Sequence, residues 1–225
     1  MISRTDIANH FYSVSKFTRE QLRLEEEHMP LYNQQDARTM FAAYVGEGYI
    51  PGEGTLIIGI NPGGGGEKYS YGPSGHDKIF YPVVRRFIAS GTIKDFDHIV
   101  TVFPEVVPHW GIWAIMGPVL YATWKPIRDI AYMNMVPYRT RNDDPPKAAA
   151  RDASWEHVTG PSLDVLNPRT IVTLGKGASD MLGHFNGKDR AANYYCIKRK
   201  RGDRSIHPEA KETLRKMRQE LAPEN

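Results

Sequence analysis

The run Thr55-Leu56-Ile57-Ile58-Gly59-Ile60 constrains this chain most: it is short, apolar, rich in β-branched residues and closed by turn residues at both ends. Pro51-Gly52-Glu53-Gly54 precedes it, and Asn61-Pro62-Gly63-Gly64-Gly65-Gly66 follows it. Consecutive apolar side chains on a strand point to opposite faces, so this run needs cover on both, as inside a parallel sheet. Residues 130–136, 170–174 and 194–198, the last continuing toward Ile206, have the same character, and 98–103 is a further strand or a buried segment. Helical spacing predicts helices over 5–28, with Asp6 at its start, and over 34–46, 79–90, 112–123, 155–166, 176–185 and 209–221. In the second of these, Ala37, Met40, Phe41 and Tyr44 share a side. In the last, Leu214, Met217 and Leu221 face inward.

Strands alternating with helices predict an α/β fold, a three-layer α/β/α sandwich with a central, mostly parallel, four-stranded sheet. The 225 residues suit a single domain, with 1–50 a helical segment packed on it. The single cysteine, Cys196, makes no internal disulfide and cannot hold an iron–sulfur cluster, which needs about four thiolates. His76, His109, His157 and His184 lack metal-ligand spacing, so neither a metal nor a cofactor is expected. No apolar stretch reaches the roughly 18 residues of a membrane span, and Met1-Ile2-Ser3-Arg4-Thr5-Asp6 opens no secretory signal. A cytoplasmic monomer is the expectation. A net charge of +3 permits nucleic-acid binding without requiring it. Trp110, Trp113, Trp124 and Trp155 are expected in the core.

Ligands of open parallel sheets bind beyond the carboxyl ends of the strands. Asn61 follows the first long strand, Asn134 closes the next, and His207 arrives after the last. The glycine run fits neither phosphate-binding pattern: Gly65 and Gly66 stand where a phosphate loop has Lys and Ser/Thr, and Lys68 stands where a dinucleotide loop has its third glycine. A base pocket suits these residues better. Asn61 would orient a water, and a neutral amide is no strong base, so cleavage would lean on stabilising the leaving group. A neutral His207 would donate a hydrogen bond to a departing uracil at O2. The Asn134 amide would accept from N3–H and donate to O4, a pattern that refuses cytosine.

Gly59-Ile60-Asn61-Pro62-Gly63 resembles the first motif of the uracil-DNA glycosylase superfamily. Tyr132-Met133-Asn134-Met135-Val136-Pro137 and Leu31-Tyr32-Asn33-Gln34-Gln35-Asp36-Ala37 are similar to segments of its single-strand-selective monofunctional group. Asn167-Pro168-Arg169-Thr170-Ile171-Val172-Thr173-Leu174-Gly175 and His207-Pro208 resemble the superfamily's last strand and last motif. The resemblance runs in order from about residue 31 to 220. It implies removal of uracil from DNA, with Asn61 positioning water, Asn134 reading the base, His207 at O2, and the backbone of Ile60 and Gly63 lining the pocket. It also implies an aromatic ring stacked on the extruded base. Tyr71 is the nearest ring to that place, with Tyr69 and Phe80 as alternatives.

DNA is thus the expected partner. Lys198-Arg199-Lys200-Arg201, together with Lys211 and Arg215, would follow its phosphates. Glu209 stands where the family has a serine, and its charge would repel phosphate. The small side of Gly63 and Gly64 predicts tolerance of 5-substituted uracils. Two other readings share these residues: a damage-sensing DNA-binding protein of weak activity, and a hydrolase of free nucleosides or nucleotides.

Overall fold

In the computed structural model, residues 2–24, 38–63, 75–141, 144–199 and 206–223 are described. Five strands form one sheet: β1 (Ala43–Val45), β2 (Thr55–Gly59), β3 (Ile130–Asn134), β4 (Thr170–Leu174) and β5 (Asn193–Ile197). Their order is β1-β3-β2-β4-β5. β2 lies parallel to β3 and β4, and β4 parallel to β5, so these four share one carboxyl edge. Every residue of β2, β3 and β4 is buried. Because alternate side chains face opposite ways, both faces of the sheet are covered. The edge strand β5 is partly exposed.

The sheet has one strand more than the four expected. Residues 43–45, placed by helical spacing in a helix over 34–46, instead pair antiparallel with β3, Tyr44 opposite Tyr132. Tyr44 is fully buried and its hydroxyl donates to the Ile127 carbonyl at 3.1 Å. Residues 34–37 lie outside the described residues. The 1–50 segment is therefore not wholly helical, since it supplies this edge of the sheet.

Helix α1 (Arg4–Val14) is shorter than the 5–28 expected. Ser3, not Asp6, is its cap: the Ser3 hydroxyl accepts from the Asp6 N–H while the Asp6 carboxylate accepts from the Ser3 N–H. At its end the hydrogen bonds tighten, Lys16 N–H to Ser13 and Phe17 N–H to Val14. Residues 98–103 are not a strand. They belong to a helix, Ile93–Val106, whose buried Phe96, Ile99, Val102 and Phe103 recur at helical spacing.

We label the remaining helices in chain order: α2 (Gly75–Ser90), α3 (Ile93–Val106), α4 (Trp113–Thr123), α5 (Ala148–Ser154), α6 (Gly160–Leu166), α7 (Lys176–His184) and α8 (Pro208–Glu220). A π-helical turn, Trp155–Thr159, joins α5 to α6. No single described helix is long and apolar enough to cross a membrane.

Phe103 on α3 is the hub of an aromatic core. Its ring stacks on Tyr44 at 4.3 Å and lies 5.8 Å from both Phe80 and Tyr132 and 5.9 Å from Phe41 and Trp110. Trp110, Trp113 and Trp155 pack partly buried against the core. Trp124 departs from expectation: it is 47% exposed, in the left-handed region at φ +57°. The Arg218 guanidinium of α8 lies 3.5 Å from its ring centre and 3.7 Å from that of Tyr121. Trp124 Nε1–H donates to the Arg218 carbonyl at 2.9 Å, and Arg218 donates to the Tyr121 carbonyl at 2.6 Å. This clamp fastens α8 to the end of α4.

His10 joins α1 to α6 through a 2.9 Å hydrogen bond between Nε2 and Ser162 Oγ. Burial holds its imidazole below the ordinary histidine value, opposed by nearby Asp164. The unfolded chain therefore binds this proton more readily than the folded one. The stability that the neutral ring contributes is present above the unfolded value of 6.5 and is lost as pH falls from there through the lowered folded value. Thermal midpoints of the wild type should drop more between about pH 7.5 and about pH 5 than those of His10→Gln. Parallel curves would remove His10 from the pH response.

Candidate functional site

The ladder between β2 and β3 places Gly59 beside Asn134 at the carboxyl edge. It continues past both strands, with Met135 N–H donating to Gly59 O at 2.9 Å and Val136 N–H to Ile60 O at 2.8 Å. The segments carrying Asn61 and Asn134 are therefore held side by side.

Asn134 is 1% exposed. Its Oδ1 accepts a 3.2 Å hydrogen bond from the hydroxyl of Tyr132, two residues back and so on the same face of the strand. Its Nδ2 is buried and has no hydrogen-bond partner among the described residues. Such a donor costs about 1–3 kcal/mol unless something binds it. The Tyr132 ring packs against Phe41 and Phe103. Burial pushes its phenol up to about 12, with the Arg199 guanidinium acting in the opposite direction, so the hydroxyl keeps its proton at neutral pH.

Asn61 is half-buried. Its Nδ2 donates to Thr140 Oγ1 at 2.9 Å, and the buried Thr140 hydroxyl donates to the Asp144 carbonyl at 2.6 Å. Because the one hydroxyl proton is committed, Thr140 offers Asn61 only a lone pair. The Asn61 amide nitrogen is thereby committed to Thr140, and Oδ1 is the polar end left over.

The loop after β3 that carries Thr140 is anchored by Arg139. That guanidinium donates to Asp77 Oδ2 at 3.3 Å and to the Tyr81 hydroxyl at 2.8 Å, both on α2. The Arg139 and Asp77 side chains are each 5% exposed. Arg19 donates to the Arg139 carbonyl at 3.0 Å, and Tyr138 OH donates to the Phe17 carbonyl at 2.8 Å, tying the same loop to the chain after α1.

His207 caps α8, its Nδ1 accepting from the Glu209 N–H at 3.3 Å. A nitrogen that accepts carries no proton, so the neutral ring is the tautomer with its proton on Nε2. His207 enters after the Arg199–Ile206 bridge beyond β5, and β5 lies two strand spacings, about 10 Å, from β2. The direct contacts thus join Asn61 and Asn134 to their own supports, and His207 approaches the same edge from the far side.

Ile60 is half-buried, and a Cβ on Gly63 would meet nothing within 4 Å. Tyr71, Tyr69, Gly64 and Lys200 lie outside the described residues. Phe80 is fully buried among Phe41, Tyr81, Phe103 and Trp110, so it is a core ring and not the stacking platform. Lys198 is bonded to Glu209, whose carboxyl it holds below the usual range. The pair is exposed, and the two opposite charges offset one another where the sequence set them apart. Arg199 and Lys211 are exposed, and Arg215 is exposed and paired with Glu212 at 3.3 Å. Among the described residues, no group of three or more His, Cys, Asp or Glu could hold a metal ion.

Sequence reasoning missed Tyr132, Thr140 and the Arg139–Asp77 pair. Strand alternation alone would have found Tyr132, two positions before Asn134. No protein-family model matches the chain, and no curated protein matches it in sequence.

Proposed function

We propose that this protein is a DNA base-excision glycosylase of uracil-DNA glycosylase-like fold. It hydrolyses the N-glycosidic bond of uracil or 5-substituted uracil and leaves an abasic site. The observation that carries this reading is the pair of amides at the carboxyl ends of adjacent parallel strands, one with its N–H2 engaged and one with its N–H2 unsatisfied. Asn134 keeps a buried, unsatisfied N–H2 for a ligand, and Asn61, its nitrogen held by Thr140, keeps a carbonyl oxygen. Such an acceptor holds a water by one of its hydrogens and leaves the oxygen lone pair for attack on the sugar carbon. Such a donor suits the O4 of an extruded uracil.

The base leaves as an anion. His207, with its proton on Nε2, supplies a neutral donor for the charge developing at O2. The base then takes up a proton and the sugar keeps the hydroxyl derived from water. No residue here acts as a Schiff-base nucleophile, so the strand is not cut. The open space beside Gly63 supports tolerance at C5.

The test is a panel of labelled single- and double-stranded oligonucleotides carrying uracil, 5-hydroxymethyluracil or cytosine. Release of the two uracils, alkali-labile abasic sites and binding that weakens steeply with salt are expected. Cleavage of free deoxyuridine but not of DNA would make the protein a nucleoside hydrolase. Salt-sensitive binding without base release would make it a damage sensor.

A further inference from the structure

We infer that Tyr132 is a specificity-positioning residue: it fixes the Asn134 amide so that the site selects an exocyclic carbonyl and rejects an amino group. This rests on the base-reading role proposed for Asn134. A primary amide has two orientations related by a half-turn, and a site that reads bases by one amide discriminates only if that turn is prevented. Uracil presents an acceptor at position 4 and cytosine a donor. A freely turning Asn134 would meet either.

Two features hold Oδ1 inward. The Tyr132 hydroxyl lies 3.2 Å from it, on a buried ring packed against the Phe41–Phe103 pair. Gly59 lies opposite in the ladder, and a Cβ there would stand 2.6 Å from Oδ1 and 3.4 Å from the Tyr132 hydroxyl. The oxygen therefore occupies the space over the glycine methylene, where C–H groups attract an oxygen and crowd an N–H2. Both would oppose the flipped amide, which would crowd an N–H2 over the glycine and leave the buried phenol proton without an acceptor among the described residues. The N–H2 left over is the buried donor with no partner, so the ligand must bring the acceptor.

Tyr132→Phe keeps the ring and its packing and removes only the hydroxyl. The wild type should prefer uracil over cytosine by about 10⁴-fold or more, and the variant should lose about tenfold or more of that ratio. Gly59→Ala, which crowds Oδ1, should lower the ratio too. A second readout does not depend on activity. The Asn134 side-chain amide signals, identified by their absence in Asn134→Ala, should be a single sharp pair in the wild type that moves on adding free uracil. In Tyr132→Phe that pair should broaden or split. An Asn134 pair indifferent to Tyr132→Phe overturns the inference whether or not uracil is released. Uracil release with an unchanged base ratio overturns it and leaves the proposed function standing. A Tyr132-dependent pair without any base release supports the lock and sinks the proposed function.

Discussion

Arg139→Met is expected to lower the unfolding free energy by about 3–5 kcal/mol, read from urea or thermal unfolding, because it strands a carboxylate in the interior. Asp77 and Arg139 are each 5% exposed in their side chains and meet at 3.3 Å. Removing one ion takes this counter-charge from the other, and the methionine restores volume but no donor. The same guanidinium also serves Tyr81, so a second buried polar group loses a bond. Adding Asp77→Asn to Arg139→Met should recover part of the loss, since the uncompensated charge is then gone. A loss below about 1 kcal/mol in the single variant would mean that the Asp77 site is far wetter than its burial implies. The effect should extend to catalysis in the folded fraction. Arg139 precedes Thr140, and Thr140 turns the Asn61 amide.

His207→Ala is expected to reduce the rate constant for uracil release by about 10²–10³-fold, the usual cost of removing one donor aimed at developing negative charge. The change also removes a helix cap, which by itself costs about 1 kcal/mol of stability. His207→Asp separates these effects. A short carboxylate caps the first turn of α8 well and complements its dipole, yet places negative charge where the base anion forms. Stability near that of the wild type with a rate as low as that of the alanine variant would assign the histidine its chemical role. Activity in His207→Asp close to the wild type would leave His207 as a cap alone.

Much of the sheet was legible in the chain because its interior strands are short apolar runs closed by turns. The runs at 55–60, 130–136 and 170–174 fall within two residues of β2, β3 and β4. β1 was not legible. Three residues cannot display an alternation, and Phe41 and Tyr44 mimic a helical stripe. What makes 43–45 a strand is the open edge of β3. Residues 98–103, read as a strand or a buried segment, turned out to be the latter in a helix, since a short, mostly apolar run suits a buried strand and a buried helix equally. At the candidate site, chain order alone put Asn61, Asn134 and His207 at or beyond the ends of strands. Their supports were not. Asn61 and Thr140 are 79 positions apart, Arg139 and Asp77 are 62 apart, and no local pattern announces either pair.

The clamp of Arg218 against Trp124 and Tyr121 gives the protein a built-in optical gauge. An indole in contact with a cation and half open to water emits differently from one released into solvent. Trp124 sits against Arg218, near the opposite end of the helix that His207 caps. A rigid tilt of that helix which carries the histidine away from the sheet edge therefore pulls on the indole, and Trp124, in a variant without the other three tryptophans, would report it.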